Sequence, residues 1–308
     1  MRLTKNVVVM TKSQPQESKV SLLEQTRKLL RRYGIRAKKG LGQNFLIDDD
    51  VLEKILEAAD LKPNETVIEV GPGLGLMTGE LAKRAGWVIA IELDNQLAAI
   101  LNENLRYDNI VVINQDVLGT DPAKLLQGRA TNFPAAFDNY KVVANLPYYI
   151  TQPVIRHFLE APVKPEMMVI MVQKEVAEVI CAPAGKRSML SIAVQFYGNP
   201  SIIVNVPAAS FFPAPDVDSA VVKIEVFKKP PVVVDDTDAF FKLVRAGFTA
   251  ARKQILNSLL QGLGVPRPAI QQMLDKAQID SQRRAETLTM EEWAALYRLF
   301  TQFRGEIY

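Results

Sequence analysis

Apolar and polar positions in the middle of the chain follow two alternating periods. Val51, Leu52, Ile55, Leu56 and Ala59 recur three and four apart, which predicts a helix over Asp49 to Ala59 with Asp48 as its cap. Thr66-Val-Ile-Glu-Val70, Trp87-Val-Ile-Ala-Ile91, Asn109-Ile-Val-Val-Ile113 and Val142-Val-Ala144 are instead short, nearly continuous apolar runs. Strands buried on both faces read this way. Helical stretches from about Leu76 to Arg84 and from Gln96 to Leu105 separate the first three, so the order is strand, helix, strand, helix. That alternation predicts an α/β protein with a doubly wound, mainly parallel sheet.

Farther along, the pattern predicts a helix over Thr151 to Leu159, a buried strand over Glu166 to Val172 and a helix over Gln173 to Ala182. Ser188 to Tyr197 carries Leu190, Ala193, Val194 and Tyr197 in helical register, with a strand left open. Runs at Ser201 to Val206 and Ala220 to Val226 read as strands around a proline-broken loop holding Phe211. After Lys228-Lys-Pro-Pro231 only helical segments follow, at Asp238 to Ala250, Arg252 to Gly262, Pro266 to Gln278 and Thr289 to Phe303. The expected division is therefore an N-terminal extension over 1–37, a Rossmann-like domain over 38–229 and a small all-helical domain over 230–308. Within the extension, Leu22, Leu23, Leu29 and Leu30 stand among charges as a short amphipathic helix, and residues 1 to about 19 read as a mobile tail.

Composition narrows the function classes. At 308 residues, 48% hydrophobic and 23% charged, the chain is an ordinary globular protein with ample core. One cysteine, Cys181, and one histidine, His157, exclude an internal disulfide and a tetrahedral Cys/His zinc site, and fit a reducing cytoplasm. Both read as packing or surface residues. The longest uncharged tract, Ser188 to Pro215, is interrupted by Pro200, Pro207 and Pro213, and Val7 to Met10 is too short for a secretory core. The net charge of +3 is slight, so a polyanion partner has to be sought in clusters. One lies between Arg27 and Gly42, where Arg27, Lys28, Arg31, Arg32, Arg36, Lys38 and Lys39 occur without an acidic residue. It is either a solvated face or a phosphate contact. Lys39-Gly-Leu-Gly-Gln-Asn-Phe-Leu46 follows, with Gln43 and Asn44 as donors and acceptors in a ligand-facing loop.

The candidate chemistry sits at strand ends. Glu69-Val-Gly-Pro-Gly-Leu-Gly75 follows the first strand, and its three glycines, Gly71, Gly73 and Gly75, allow close backbone approach to a nucleotide-like ligand. The spacing is not the pyrophosphate fingerprint of a dinucleotide fold. Glu92 ends the second strand, where a carboxylate accepts from both hydroxyls of a ribose, or else Glu92-Leu-Asp94 caps the next helix. Asp116 ends the third, placed to accept from an adenine amino group. The fourth ends in Asn145-Leu-Pro-Tyr-Tyr149. The Asn145 side chain and the carbonyl beside Pro147 both accept from an amino group, and the Tyr148 ring offers a flat base a stacking face. A strand-end turn with Tyr148 packed inward is the plainer reading.

In their order, these motifs resemble those of class I S-adenosylmethionine-dependent methyltransferases acting on an adenine amino group. With Lys39 to Leu46 and Phe211-Phe-Pro-Ala-Pro-Asp-Val-Asp-Ser219, residues 38 to 227 resemble the ribosomal RNA adenine dimethyltransferase family. The resemblance implies that Asn44 and Leu46 close over the cofactor, that Gly71 lies against its methionine end, and that Gln43, Glu69, Gly73 and Gly75 also belong to the cofactor-binding set. Glu92 would take the ribose, Asp116 the adenine, and Asn145 would lie between cofactor and target base. Tyr148 would stack on the flipped base, with Phe211 or Phe212 on its other face, and no metal is needed. The implied substrate is a pair of adjacent adenosines near the 3′ end of small-subunit rRNA, met by a monomer within a pre-30S-like particle. The last two strands would form the closing antiparallel pair of the fold. Lys242, Arg245, Arg252 and Lys253 would face RNA, although the family often shows a longer basic cluster than Ala250-Ala-Arg-Lys253. A related large-subunit rRNA methyltransferase usually has isoleucine after the motif Asn, where this chain has Leu146. A non-catalytic descendant would be expected to lose the glycines or the Asn-Pro-Tyr set, and all are present.

Overall fold

The computed structural model describes residues 20–127, 139–250 and 252–307. The tail expected over residues 1–19 lies outside the described residues. Helix α1 (Leu22–Tyr33), strand β1 (Phe45–Leu46) and helix α2 (Asp49–Ala59) come first. The β-α alternation then runs through β2 (Thr66–Val70), α3 (Leu76–Ala82), β3 (Trp87–Glu92), α4 (Asn95–Asn104), β4 (Ile110–Asn114), α5 (Pro122–Leu126) and β5 (Tyr140–Asn145). It continues with α6 (Thr151–Leu159), β6 (Met167–Gln173), α7 (Lys174–Ile180) and α8 (Met189–Tyr197). Strands β7 (Gly198–Val206), β8 (Phe211–Phe212) and β9 (Ser219–Val226) precede the helices α9 (Thr237–Phe248), α10 (Ile255–Leu263), α11 (Arg267–Lys276) and α12 (Met290–Ile307).

Seven strands make one sheet in the order β4-β3-β2-β5-β6-β9-β7. The first five are parallel, and β9 runs antiparallel between β6 and β7, the closing pair expected from the sequence. Strand order reverses between β2 and β5, the point outside whose carboxyl ends a sheet of this kind forms its crevice. Ser188 settles the open choice at 188–197. Its hydroxyl and that of Ser191 form a capping box, and a helix follows.

The sheet is buried on both faces. Ile68, Val70, Val142, Ala144 and Ile170 pack against α6, α8 and the C-terminal helices. The alternate residues Val67, Val88, Val143 and Val169 pack against α2, α3 and the start of α1. The apolar cluster on the first side runs without a break past residue 229, with the Phe196 ring stacked 5.1 Å from Phe240. One expected helix starts late. Arg252 and Lys253 sit in the turn before α10, where the Lys253 N–H donates to the Ala250 carbonyl, and both side chains are exposed.

Candidate active site

The glycine turn, Glu92, Asp116 and Asn145 are brought to one edge of the sheet because β2, β3, β4 and β5 are neighbours in it. Their ends line a cleft of about 1060 Å³, open mouth included. The turn itself needs glycine. Gly71, Gly73 and Gly75 have φ of 68°, 60° and 81°, in the left-handed region. At Gly75 a Cβ would also lie 2.6 Å from the Leu101 side chain of α4, so the turn is closed from behind.

Glu92 is 6% exposed and holds the turn by hydrogen bonds. Its Oε2 accepts from the Gly73 N–H at 3.0 Å and its Oε1 from the Asp94 N–H at 2.9 Å. Burial raises its pKa and these two donors oppose the rise. Each oxygen has a further lone pair for a diol. Capping α4, the alternative role considered for this segment, falls to Asp94, whose Oδ1 accepts from the Gln96 N–H at 2.9 Å. Asp116 is exposed at the mouth and spends one oxygen on the Leu118 N–H at 3.0 Å.

Over this floor lies the loop from Lys38 to Leu46. Asp94 anchors one end of it, with Lys38 Nζ at 2.7 Å and Gln43 Nε2 at 3.0 Å from Oδ2. Gln43 Oε1 accepts from the Lys38 N–H at 2.8 Å, so the side chain ties the loop to itself as well. Burial would raise the Asp94 pKa, but Lys38, Gln43 and the Gln96 N–H hold it below the usual carboxylate range. The other end is anchored by sheet pairing, Phe45 opposite Phe212 and Leu46 opposite Phe211. In the middle, Asn145 Nδ2 donates to the Asn44 main-chain carbonyl at 3.0 Å. A carbonyl only accepts, which places the amide nitrogen on that side and leaves Asn145 Oδ1 as the free acceptor. The Pro147 carbonyl accepts from the Ile150 N–H at 3.1 Å and from the Thr151 hydroxyl at 3.4 Å.

Two expectations change, those for Glu69 and Phe211. Glu69 does not line the cleft. It is fully buried on the α2–α3 side of β2, and neither carboxylate oxygen has a hydrogen-bond partner among the described residues. Burial pushes its pKa up to about 8; the Thr78 hydroxyl tempers that while standing outside hydrogen-bond geometry. Phe211 is 3% exposed and packs in the core with Val206 and Val221, so no base can reach it. Phe212, on the opposite side of the same two-residue strand, is 38% exposed. Tyr148 lies outside the cleft lining, half-buried, with its hydroxyl 2.9 Å from Ser219 Oγ. Tyr149, 57% exposed, and Ile150 line the mouth of the cleft.

Several wall residues were not foreseen. Phe45 and Leu97, from one apolar cluster, and Ile91 and Val117, from another, give the cleft apolar walls. Phe45 lay inside the Lys39-to-Leu46 motif and Val117 beside Asp116, but nothing local distinguishes a wall from core. This lining suits S-adenosylmethionine. The turn of three left-handed glycines lets backbone line the cleft, Glu92 presents two acceptors, and the apolar walls accept an adenine ring. A mainly parallel sheet of this order, with those strand ends, defines a Rossmann-like S-adenosylmethionine-dependent methyltransferase.

Comparison with known proteins narrows the class. The family model for ribosomal RNA adenine dimethylase matches residues 34–302. A ribosomal RNA small subunit methyltransferase A from Dehalococcoides mccartyi is 51% identical over 283 residues, covering 92% of this chain and 94% of its own. The protein of that name from Alkaliphilus metalliredigens is 44% identical and covers 88% and 94%. Among solved structures, a dimethyladenosine transferase from Plasmodium falciparum superposes with a TM-score of 0.69 at 26% identity, over 84% of this chain and 98% of that one. The 23S rRNA methyltransferase ErmE gives 0.65 at 29% identity, over 84% and 100%. The chain belongs to the ribosomal RNA adenine dimethylase family.

Proposed function

We propose that this protein dimethylates the N6 amino groups of two adjacent adenosines near the 3′ end of small-subunit rRNA, using S-adenosylmethionine. It acts as a cytoplasmic monomer on a pre-30S-like particle during small-subunit assembly. The observation that carries the reading is the orientation of Asn145, whose free Oδ1 stands at the strand end beside the cofactor cleft. Small-subunit relatives at 42% to 53% identity favour that substrate over the large-subunit one, whose structural relative stands at 29%.

When bound, S-adenosylmethionine supplies a methyl group on a positively charged sulfur, electrophile and leaving group together. The residues have to supply position. Glu92 takes the ribose hydroxyls, Asp116 the adenine amino group, and Gly71 the methionine end, with Asn44 and Leu46 closing above. Asn145 Oδ1 and the carbonyl beside Pro147 accept from the target N6, whose lone pair is otherwise delocalised into the base. Two acceptors favour the pyramidal, nucleophilic nitrogen and stabilise the charge that develops on it. The methylated ammonium is acidic enough to give its proton to water, so no dedicated base is required. Tyr148 stacks on the flipped base, held by Ser219, and Phe212 meets the other side. Arg252 and Lys253 contact RNA phosphates from their exposed turn.

The test is methyl transfer from labelled S-adenosylmethionine to unmodified small-subunit particles. Label entering only naked large-subunit RNA would reverse the substrate assignment. No transfer to either, with cofactor still bound, would point to a non-catalytic RNA-binding role.

A further inference from the structure

The basic run ahead of the active-site loop takes no part in the site just described, and the fold gives it a definite form. Helix α1 buries Leu22 and Thr26 and packs Leu29, Leu30 and Tyr33 against the protein. At 3.6 residues per turn, Arg27, Lys28 and Arg31 fall within about 100° of the opposite side. All three are exposed, as are Arg32 and Arg36.

Unlike the cations at the end of α3 and on α6, those on this face are mostly without acidic partners among the described residues. Arg84 pairs with Glu53 and Glu80, and Arg156 with Glu160. Arg27, Lys28, Arg31 and Arg36 make no ion pair among the described residues, and Arg32 reaches Glu103 only at 3.6 Å. Glu24 is the single acid on that side, at the amino end of the helix. Like charges three and four apart weaken a helix, so the arrangement is not explained by helix stability.

The mounting is rigid and leads to the cleft. The Leu22 N–H donates to Asp49 at 3.1 Å, Tyr33 Oη to Asn104 Oδ1 at 2.7 Å, and Lys38 bridges to Asp94 at the start of α4. Residues 34–38 therefore carry the chain directly from the cationic helix into the loop that closes over the cofactor. The C-terminal helices join the apolar cluster on the other face of the sheet through α8, away from α1.

We infer that the outer face of α1 is a second RNA-binding surface, holding the phosphate backbone of the substrate rRNA beside the cofactor end of the cleft through Arg27, Lys28, Arg31 and Arg36. This rests on the proposed function for its partner and on the geometry for its place. Such contacts carry no sequence information; they anchor the polyanion while the base is presented from the other side.

The test is binding of the full chain to unmodified small-subunit particles across a salt series at fixed magnesium. The Arg27→Gln/Lys28→Gln/Arg31→Gln variant should lower the slope of log affinity against log salt by about 2–3, because each lost phosphate contact removes roughly 0.7–0.9. Low-salt affinity should fall at least about tenfold, while S-adenosylmethionine affinity, which reports the fold and the cleft, stays unchanged. Glu24→Lys should steepen the slope by about one. Unchanged slopes in both variants would overturn the inference. So would loss of binding to anionic phosphatidylglycerol vesicles with RNA binding intact, which would make the face a membrane contact. The two tests stay apart, since failure of methyl transfer on small-subunit particles by the wild type refutes the substrate assignment, whereas the slope reads α1 alone.

Discussion

Asn145 Nδ2 and the main-chain oxygen of Asn44 lie 3.0 Å apart, joining the end of β5 to the loop above the cofactor cleft. One bond thereby sets both the closure of the loop and the direction of the acceptor that meets the substrate amine. Asn145→Ala is expected to abolish turnover while cofactor affinity stays within a few-fold, as read by calorimetry. Asn145→Asp removes the donor and sets a carboxylate against the Asn44 carbonyl, so it should be as inactive as the alanine variant and bind cofactor more weakly than it does. Equal loss of cofactor and activity in the alanine variant would contradict the assigned role.

Cofactor binding should depend first on Glu92 and next on Asp94. Glu92→Ala leaves the Gly73 and Asp94 N–H groups without their acceptor and removes the diol partner. Asp94→Ala releases both Lys38 and Gln43 and uncaps α4, which costs about 0.5–2 kcal/mol in helix stability alone. Calorimetric titration should therefore show weaker S-adenosylmethionine binding in both, with protection of amides 38–46 from hydrogen exchange lost in the Asp94 variant.

Ser219 is expected to fix the Tyr148 ring. Tyr148→Ala should cost on the order of 1–3 kcal/mol of base stacking, seen in kcat/KM for particles. Tyr148→Phe and Ser219→Ala each remove the same 2.9 Å bond, and the double variant should be no worse than either single one. Additive losses would show that the hydroxyl and the serine act separately.

The buried Glu69 makes stability fall with rising pH. Its carboxyl ordinarily titrates near 4.5, and burial moves it to about 8. Between those values the folded chain holds a proton that the unfolded chain has lost, so unfolding free energy declines across that window, at up to about 1.4 kcal/mol per pH unit, and levels off above it. Glu69→Gln should flatten this decline in denaturant titrations from pH 5 to 9 and be the more stable protein at the alkaline end.

Much of this was legible in the sequence because the four strand ends are local signals. Each is an apolar run closed by a polar or glycine residue, and parallel pairing then sets Gly71, Glu92, Asp116 and Asn145 side by side. What escaped were relationships between distant segments. The pairing of Phe45 with Phe212 involves two residues on each side, too few for any periodicity, and it is this pairing that turns Phe211 inward and Phe212 outward. Glu69 sits in the motif expected to touch the cofactor, but strand alternation points it to the other side of the sheet. Asp94 looked like a helix cap, which it is, and only the fold shows that its second oxygen anchors the loop. Arg252 looked helical because the apolar spacing of α10 extends back to it, while the turn at Ala250 delays the helix to Ile255.

The most direct measurement is nucleoside mass spectrometry of unmodified small-subunit particles after incubation with S-adenosylmethionine and either the wild type or Asn145→Ala. The wild type should yield two dimethyladenosines per particle and the variant none, although it still binds cofactor. Dimethyladenosine formed by Asn145→Ala at the wild-type rate, or absent from the wild-type reaction, would contradict the account.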